Sequence, residues 1–228
     1  MNLPDIPKYI TDYFNFTIDF TGHTSEALKP FKERNKIDET LVSYAAFGLF
    51  FTWLIAFLLR RLAEMHKDKT SLFKNLHLSE IEIYPLAAIF AIIVCAIILH
   101  FAIKIVLAID KRFMHQRSPK KYPDSGTFNL KNTINGLLAF FAVIPFLYMT
   151  LFLLTMFIIY TFLPAQIKPG VVIALIAPTA IAALIFILFH FPRSIAAVHP
   201  DSLNSYIRNS IRTLIILSMA LIALIDKN

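Results

Sequence analysis

Seven histidines, one cysteine and a thin scatter of amide and hydroxyl side chains are what this 228-residue chain offers for metal or nucleophile chemistry. A helical zinc site wants a second ligand three or four residues on, as in His-Glu-x-x-His. None of His23, His66, His77, His100, His115, His190 or His199 has another histidine at that spacing. Nucleophilic catalysis needs a Ser or Cys within reach of a His. Ser194 and His199 lie close, with His190 just before them, but there is no Gly-x-Ser-x-Gly turn and only five glycines to build one. Cys95, alone in an apolar block, can make neither an intramolecular disulfide nor a cysteine cluster. The paired aspartates of an intramembrane aspartyl protease are missing too. The expectation is a non-enzyme with no metal and no cofactor.

Three polar residues within apolar surroundings are the remaining candidates: His100 and Lys104, which are i and i+4 on one helix face, and Asn135. They could line a transport pathway. The plainer reading has Lys104 snorkelling to the headgroups, His100 bonded to a neighbouring carbonyl, and Asn132 with Asn135 capping a helix at the interface.

The elements that hold these residues follow from hydropathy. With 57% hydrophobic residues and a mean hydropathy of +0.64, the chain has too little polar surface to cover a soluble globule. Uncharged blocks run from Leu41 to Leu59, Ile83 to Ile103, Thr133 to Leu163, Val171 to Phe191, and, more briefly, Thr213 to Ile225. Crossing a bilayer takes about 20 apolar residues in a helix. Continuous runs of this kind exclude the alternating strands of a barrel. The expected fold is an all-α, polytopic membrane bundle with about five spans, at 41–59, 83–109, 132–163, 170–191 and 202–225. Residues 1–40 form a cytoplasmic or interfacial N-terminal segment, and 41–228 form one membrane domain.

Several local features refine this outline. Pro145 within the third block predicts a single kinked or tilted helix ending near Pro164. The fifth span reaches its length only by extension back through Ser202, which puts Arg208 and Arg212 one turn apart on one face. Ala87, Ala91 and Cys95, and Ala174, Ala177, Ala180 and Ala183, give small-residue stripes for close helix approach. In residues 1–22 two periods conflict: Tyr9, Ile10, Tyr13 and Phe14 fit a helix face, while Phe14, Phe16, Ile18 and Phe20 alternate like a strand. Either way, so aromatic a segment is expected on the membrane interface. A short amphipathic helix over Ser25–Lys29, stopped by Pro30, and a second helix entering the bilayer after Asp38 complete the sketch.

The formal charge of +7 reflects basic residues that border the apolar blocks, a pattern of topology and anionic lipid, with no nucleic acid implied. With five spans, the N-terminal segment and the 110–132 and 192–212 loops share a side and carry most of the 22 Lys and Arg residues, which predicts N-terminus cytoplasmic and C-terminus outside. Lys111, Arg112, Arg117, Lys120 and Lys121 are the candidate lipid-headgroup cluster.

The segment Asp124, Ser125, Gly126, Thr127, Phe128, then Thr133, Ile134, Asn135 and a long apolar span, resembles the stretch before the third span of Yip-domain proteins. Leu188, His190, Ile195, His199, Asp201 and Ser202 are similar to the connection between their fourth and fifth spans. The Asp-Leu-Tyr-Gly-Pro signature of eukaryotic members is missing, so the resemblance is to the divergent bacterial branch. It implies a multipass scaffold of the bacterial inner membrane, acting through contacts with other membrane proteins, a second copy of itself, or lipid. Gly126, Thr127 and Phe128 would form a positioned loop. The other expectation is a subunit of a transporter or channel.

Overall fold

The computed structural model describes residues 5–32, 36–65, 84–114, 128–162 and 169–225. Among them are six α-helices and no strand: α1 (Ile6–Ala27), α2 (Glu39–Met65), α3 (Tyr84–Met114), α4 (Leu130–Phe162), α5 (Pro169–Ala197) and α6 (Asp201–Ile225), with a 3-10 turn at Lys29–Phe31 after α1. Three of them are long and apolar enough to cross a membrane, over Glu39–Arg61, Leu130–Ile159 and Ala174–Ala197. The described residues therefore form an all-helical fold that carries membrane-type helices. In α3 the stretch Ile93–Val106 is apolar but shorter.

Local chemistry sets the helix starts. Asp38 caps α2, its Oδ1 accepting the Thr40 N–H at 3.0 Å, and Asn129 caps α4 in the same way through the Lys131 N–H at 3.0 Å. Pro169 opens α5, where a missing N–H costs nothing. Pro145 lies inside an α4 that continues through it. Membrane helices tolerate such breaks because neighbouring groups satisfy the freed backbone.

Helix α4 is the centre of the molecule, with α2, α3 and α5 packed around it and α6 against α5 and α3. Two glycines set how closely it is approached. A Cβ on Gly48 of α2 would lie 2.2 Å from the Ala142 carbonyl oxygen of α4, and one on Gly136 of α4 would lie 2.7 Å from the Ile195 Cα of α5. At both points backbone meets backbone, as close helix packing in membranes requires. The starts of α2, α4 and α6 and the end of α5 gather at one end of the bundle. Asp38 meets Asn135 there, Gly136 meets Ile195, and Lys32 Nζ pairs with Asp201 Oδ2 at 2.6 Å.

In the N-terminal segment the helical period prevails. Tyr13, Phe16, Thr17, Phe20 and Thr24 form one buried stripe, while Phe14 and Ile18, half of the alternating set, face outward. The helix also runs from Ile6 to Ala27, far longer than the turn or so expected around Ser25, and bends at His23. Its buried face packs on the chain's own helices. Tyr9 reaches Ser43 and Phe47 of α2, Tyr13 reaches Ala142 and Phe146 of α4, and Thr24 reaches His190 of α5. Thus α1 straps across α2, α4 and α5. The buried Thr17 and Thr24 hydroxyls bond the carbonyls one turn back, at 2.9 and 2.8 Å, so the stripe buries no hydroxyl without a partner.

Candidate functional site

Two residues before α4 begins, Phe128 is inserted between two imidazoles. Its ring stacks on His100 of α3 at 5.0 Å and 15°, and on His199, in the turn between α5 and α6, at 4.6 Å and 14°. All three side chains are buried. Around them lies an apolar cluster of Leu49, Ile103, Leu137, Ile195, Leu203 and Ile207, so α2 to α6 all reach this end of the bundle. Offset or parallel ring contact of this kind contributes about 1 kcal/mol beyond area burial. Phe128 is thereby clasped between α3 and the turn from α5 to α6.

The local sequence explains where His199 sits. Pro200 stops α5 from continuing, and the His199 N–H bonds back to the Ala196 carbonyl at 3.1 Å in a tighter final turn. The Ile195 carbonyl, which that tightening leaves open, receives the His199 side chain, Nδ1–H donating at 2.8 Å. His199 is in effect the C-terminal cap of α5. Nδ1 then carries the proton, and Nε2, buried near the Asn129 backbone, completes no hydrogen bond. Burial pushes the His199 pKa down to about 4, opposed by the nearby Ile195 and Asn129 carbonyls. At neutral pH it is an uncharged ring.

The phenyl ring keeps the two imidazoles apart, so they share no coordination point, and among the described residues no group of three metal-ligating side chains converges. His100 Nδ1 and Asn132 Oδ1 are, like His199 Nε2, buried without a partner. Ser194 gives its hydroxyl to the Phe191 carbonyl at 2.9 Å, which leaves it no histidine to deprotonate it.

The residues singled out in the sequence do not gather at one site. Phe128 and His100 come together, with His199 as the member that spacing alone did not connect to them. Asn135 does separate work: its Oδ1 accepts the Asp38 N–H at 3.0 Å and its Nδ2 donates to the Lys36 carbonyl at 3.1 Å, fixing the strand of chain that leads into α2. Lys104 is exposed one turn from the buried His100, so the two diverge despite their spacing. Lys111 and Arg112 lie in the last turn of α3. Arg117, Lys120, Lys121, Gly126 and Thr127 lie outside the described residues.

A second histidine is used in a similar way. His190 of α5 accepts or donates at Thr24 Oγ1, 3.0 Å away, and stacks between Phe20 of α1 and Phe186 one turn earlier in α5. Nothing in the pattern around His190 predicted the bond to Thr24, which lies 166 residues away in sequence. No protein-family model, curated protein or solved structure matches this chain.

Proposed function

We propose that the chain is a non-enzymatic, multipass membrane protein of Yip-domain type, an interaction or membrane-organising scaffold of the bacterial inner membrane. In this reading α2 to α6 are five spans, the N-terminus and the basic 110–132 loop are cytoplasmic, and the C-terminus is outside. The observation that carries it is the division of polar and apolar groups. Buried polar side chains such as Tyr13, Thr24, Asn135 and His199 bond the chain's own segments, whereas α3 and α5 turn rows of large apolar residues outward: Phe90, Ile97 and Phe101 on one, Ile181, Ile185 and Phe189 on the other. Such rows suit lipid or a partner's helix, not water.

Crosslinking in native membranes, followed by identification of captured proteins, tests the scaffold. A partner or a second copy should be captured, and neutralising Lys111, Arg112, Arg117, Lys120 and Lys121 should weaken its capture or the protein's retention of anionic lipid. Unchanged capture and lipid content would remove the basic cluster from the mechanism.

One feature favours transport as a second reading. A groove of about 500 Å³ between α3 and α6 is mostly apolar, lined by Val106, Leu214 and Leu217, but Ser205, Asn209, Ser210 and Thr213 also face it, hydroxyl and amide groups that a purely lipid-facing surface does not need. Ion or solute flux in reconstituted liposomes, abolished by Asn209→Leu in a folded protein, would replace the scaffold with a permease subunit.

A further inference from the structure

We propose that Arg193, Arg208 and Arg212 form a binding site for the phosphate group of an anionic lipid, at the bundle end where α5 stops and α6 starts. Arg193 lies on α5 six residues before His199, and its guanidinium carbon sits 3.4 Å over the Phe189 ring, a cation–π stack that fixes it at the bundle's outer surface. Arg208 and Arg212 are one turn apart on α6, on the flank beside the Leu203, Ile207, Ile211 stripe that packs with Ile195 and Ala196 of α5. The three guanidinium groups lie within electrostatic range of one another. None has a carboxylate partner among the described residues, and the acid at the start of α6, Asp201, is bonded to Lys32.

An arrangement of three like charges on packed helices costs free energy unless an anion joins them. The demand for one is specific at Arg208. Its Nε is buried with no acceptor, which leaves a charged group incompletely bonded, so the half-buried guanidinium gains most from an anion that bonds its terminal nitrogens between α5 and α6. Guanidinium forks suit phosphate oxygens, each able to give two parallel N–H···O bonds.

Depth selects a lipid as the source of that phosphate, and this step rests on α5 and α6 being spans. The apolar stretch Val171–Phe191 of α5 is about 31 Å long at 1.5 Å per residue, which brings Arg193 to the hydrocarbon boundary. Beyond Arg212, α6 has only about 20 Å of helix to its end at Ile225, short of the roughly 30 Å hydrocarbon core. Arg212 therefore has to draw headgroup material inward, and a lipid phosphate is the anion that stands at that level.

The test is the thermal midpoint of the full chain in non-ionic detergent, titrated with phosphatidylglycerol, with phosphatidylcholine, or with inorganic phosphate. Phosphatidylglycerol should raise the midpoint saturably. Phosphatidylcholine and inorganic phosphate should not match it. Combining Arg193→Gln, Arg208→Gln and Arg212→Gln should weaken the apparent affinity on the order of a hundredfold, about fivefold per cation. If that variant does not fold, Arg208→Lys keeps the charge but loses the fork, and should weaken the effect severalfold. Equal stabilisation by inorganic phosphate would overturn the lipid as ligand. An undiminished response in the folded triple variant, or in Arg208→Lys where the triple variant does not fold, would overturn the site. Partner capture by crosslinking is read separately, so absence of any phosphatidylglycerol effect on the unaltered protein with capture intact rejects this site and leaves the scaffold standing.

Discussion

The Tyr13 hydroxyl of α1 donates to the Ala142 carbonyl of α4 across 2.7 Å, at the level where Gly48 lets α2 close on the same carbonyl. Three helices thus meet at one backbone oxygen, which α1 bonds and α2 packs against. Burial raises the Tyr13 pKa well above the ordinary phenol range, so the group stays a donor at every accessible pH. Tyr13→Phe keeps the ring against Tyr44, Phe47 and Phe146 and should cost about 1 kcal/mol. Tyr13→Ala removes the ring as well, should cost roughly 3 to 5 kcal/mol, and should expose α1 to protease before the rest of the molecule unfolds. Thermal unfolding and limited proteolysis in detergent check both. Unaltered resistance of α1 in the alanine variant would mean that the strap is held elsewhere.

Glycine substitutions separate close packing from helix propensity. A methyl at Gly48 meets the Ala142 carbonyl oxygen at 2.2 Å and cannot be accommodated without moving α2 from α4, so Gly48→Ala should destabilise by about 1 to 3 kcal/mol. At Gly22 of α1 nothing lies within 4 Å, and Gly22→Ala should be neutral or stabilising by up to about 1 kcal/mol. Opposite signs in the thermal midpoint are the expected outcome. A harmless Gly48→Ala would place the α2–α4 contact further apart than 2.2 Å implies.

Much of this architecture is legible in the sequence, for a physical reason: apolar length alone marks a membrane-type helix, and α2, α4 and α5 carry that signal in their residues. Pro145 within one continuous helix, Pro30 in the 3-10 turn after α1, and Asp38 preceding α2 are equally local facts. What the sequence hid is tertiary. The alternation of Phe14, Phe16, Ile18 and Phe20 competes with a helical stripe, and the stripe wins because Tyr13, Phe16 and Phe20 find one surface made by three other helices. His199 and Phe128 lie 71 positions apart in number and meet only because α4 and α5 run side by side. Lys104 and His100 share a nominal face, yet one is exposed and the other buried, since a face wide enough for both is only partly covered by Phe128.

Asn135 is the hinge of a two-bond latch, and its two atoms can be separated by mutation. Asn135→Asp keeps an acceptor for the Asp38 N–H, loses the donor to the Lys36 carbonyl, and places a second carboxylate near Asp38. Asn135→Leu loses both bonds and leaves a buried N–H unsatisfied. Either should cost about 1 to 3 kcal/mol. With the aspartate, raising the pH should worsen the loss, because ionisation adds like-charge repulsion in a buried site. Thermal midpoints of the two variants at pH 5 and pH 8 check this: the aspartate variant should fall relative to the leucine variant as pH rises. Parallel behaviour would show that the carboxylate reaches water.

His199 gives the fold a defined acid limit. With its folded pKa near 4 and an ordinary value of 6.5 in the unfolded chain, the native state binds fewer protons than the unfolded state between those two pH values. The stability that the neutral ring supplies is therefore complete above about pH 6.5 and is lost progressively as pH falls toward 4, by roughly 3 kcal/mol in all. The Phe128 stack and the α5 cap at Ile195 are the contacts at risk, since both depend on where this ring sits. His199→Phe removes the titration and keeps a flat ring for Phe128, at the cost of the bond to the Ile195 carbonyl. Its thermal midpoint should start below that of the parent at pH 7 and change less between pH 7 and pH 4.5, so that the two curves converge on acidification. Parallel curves would mean that His199 titrates normally, in contact with water, and that the clasp at this end of the bundle is open.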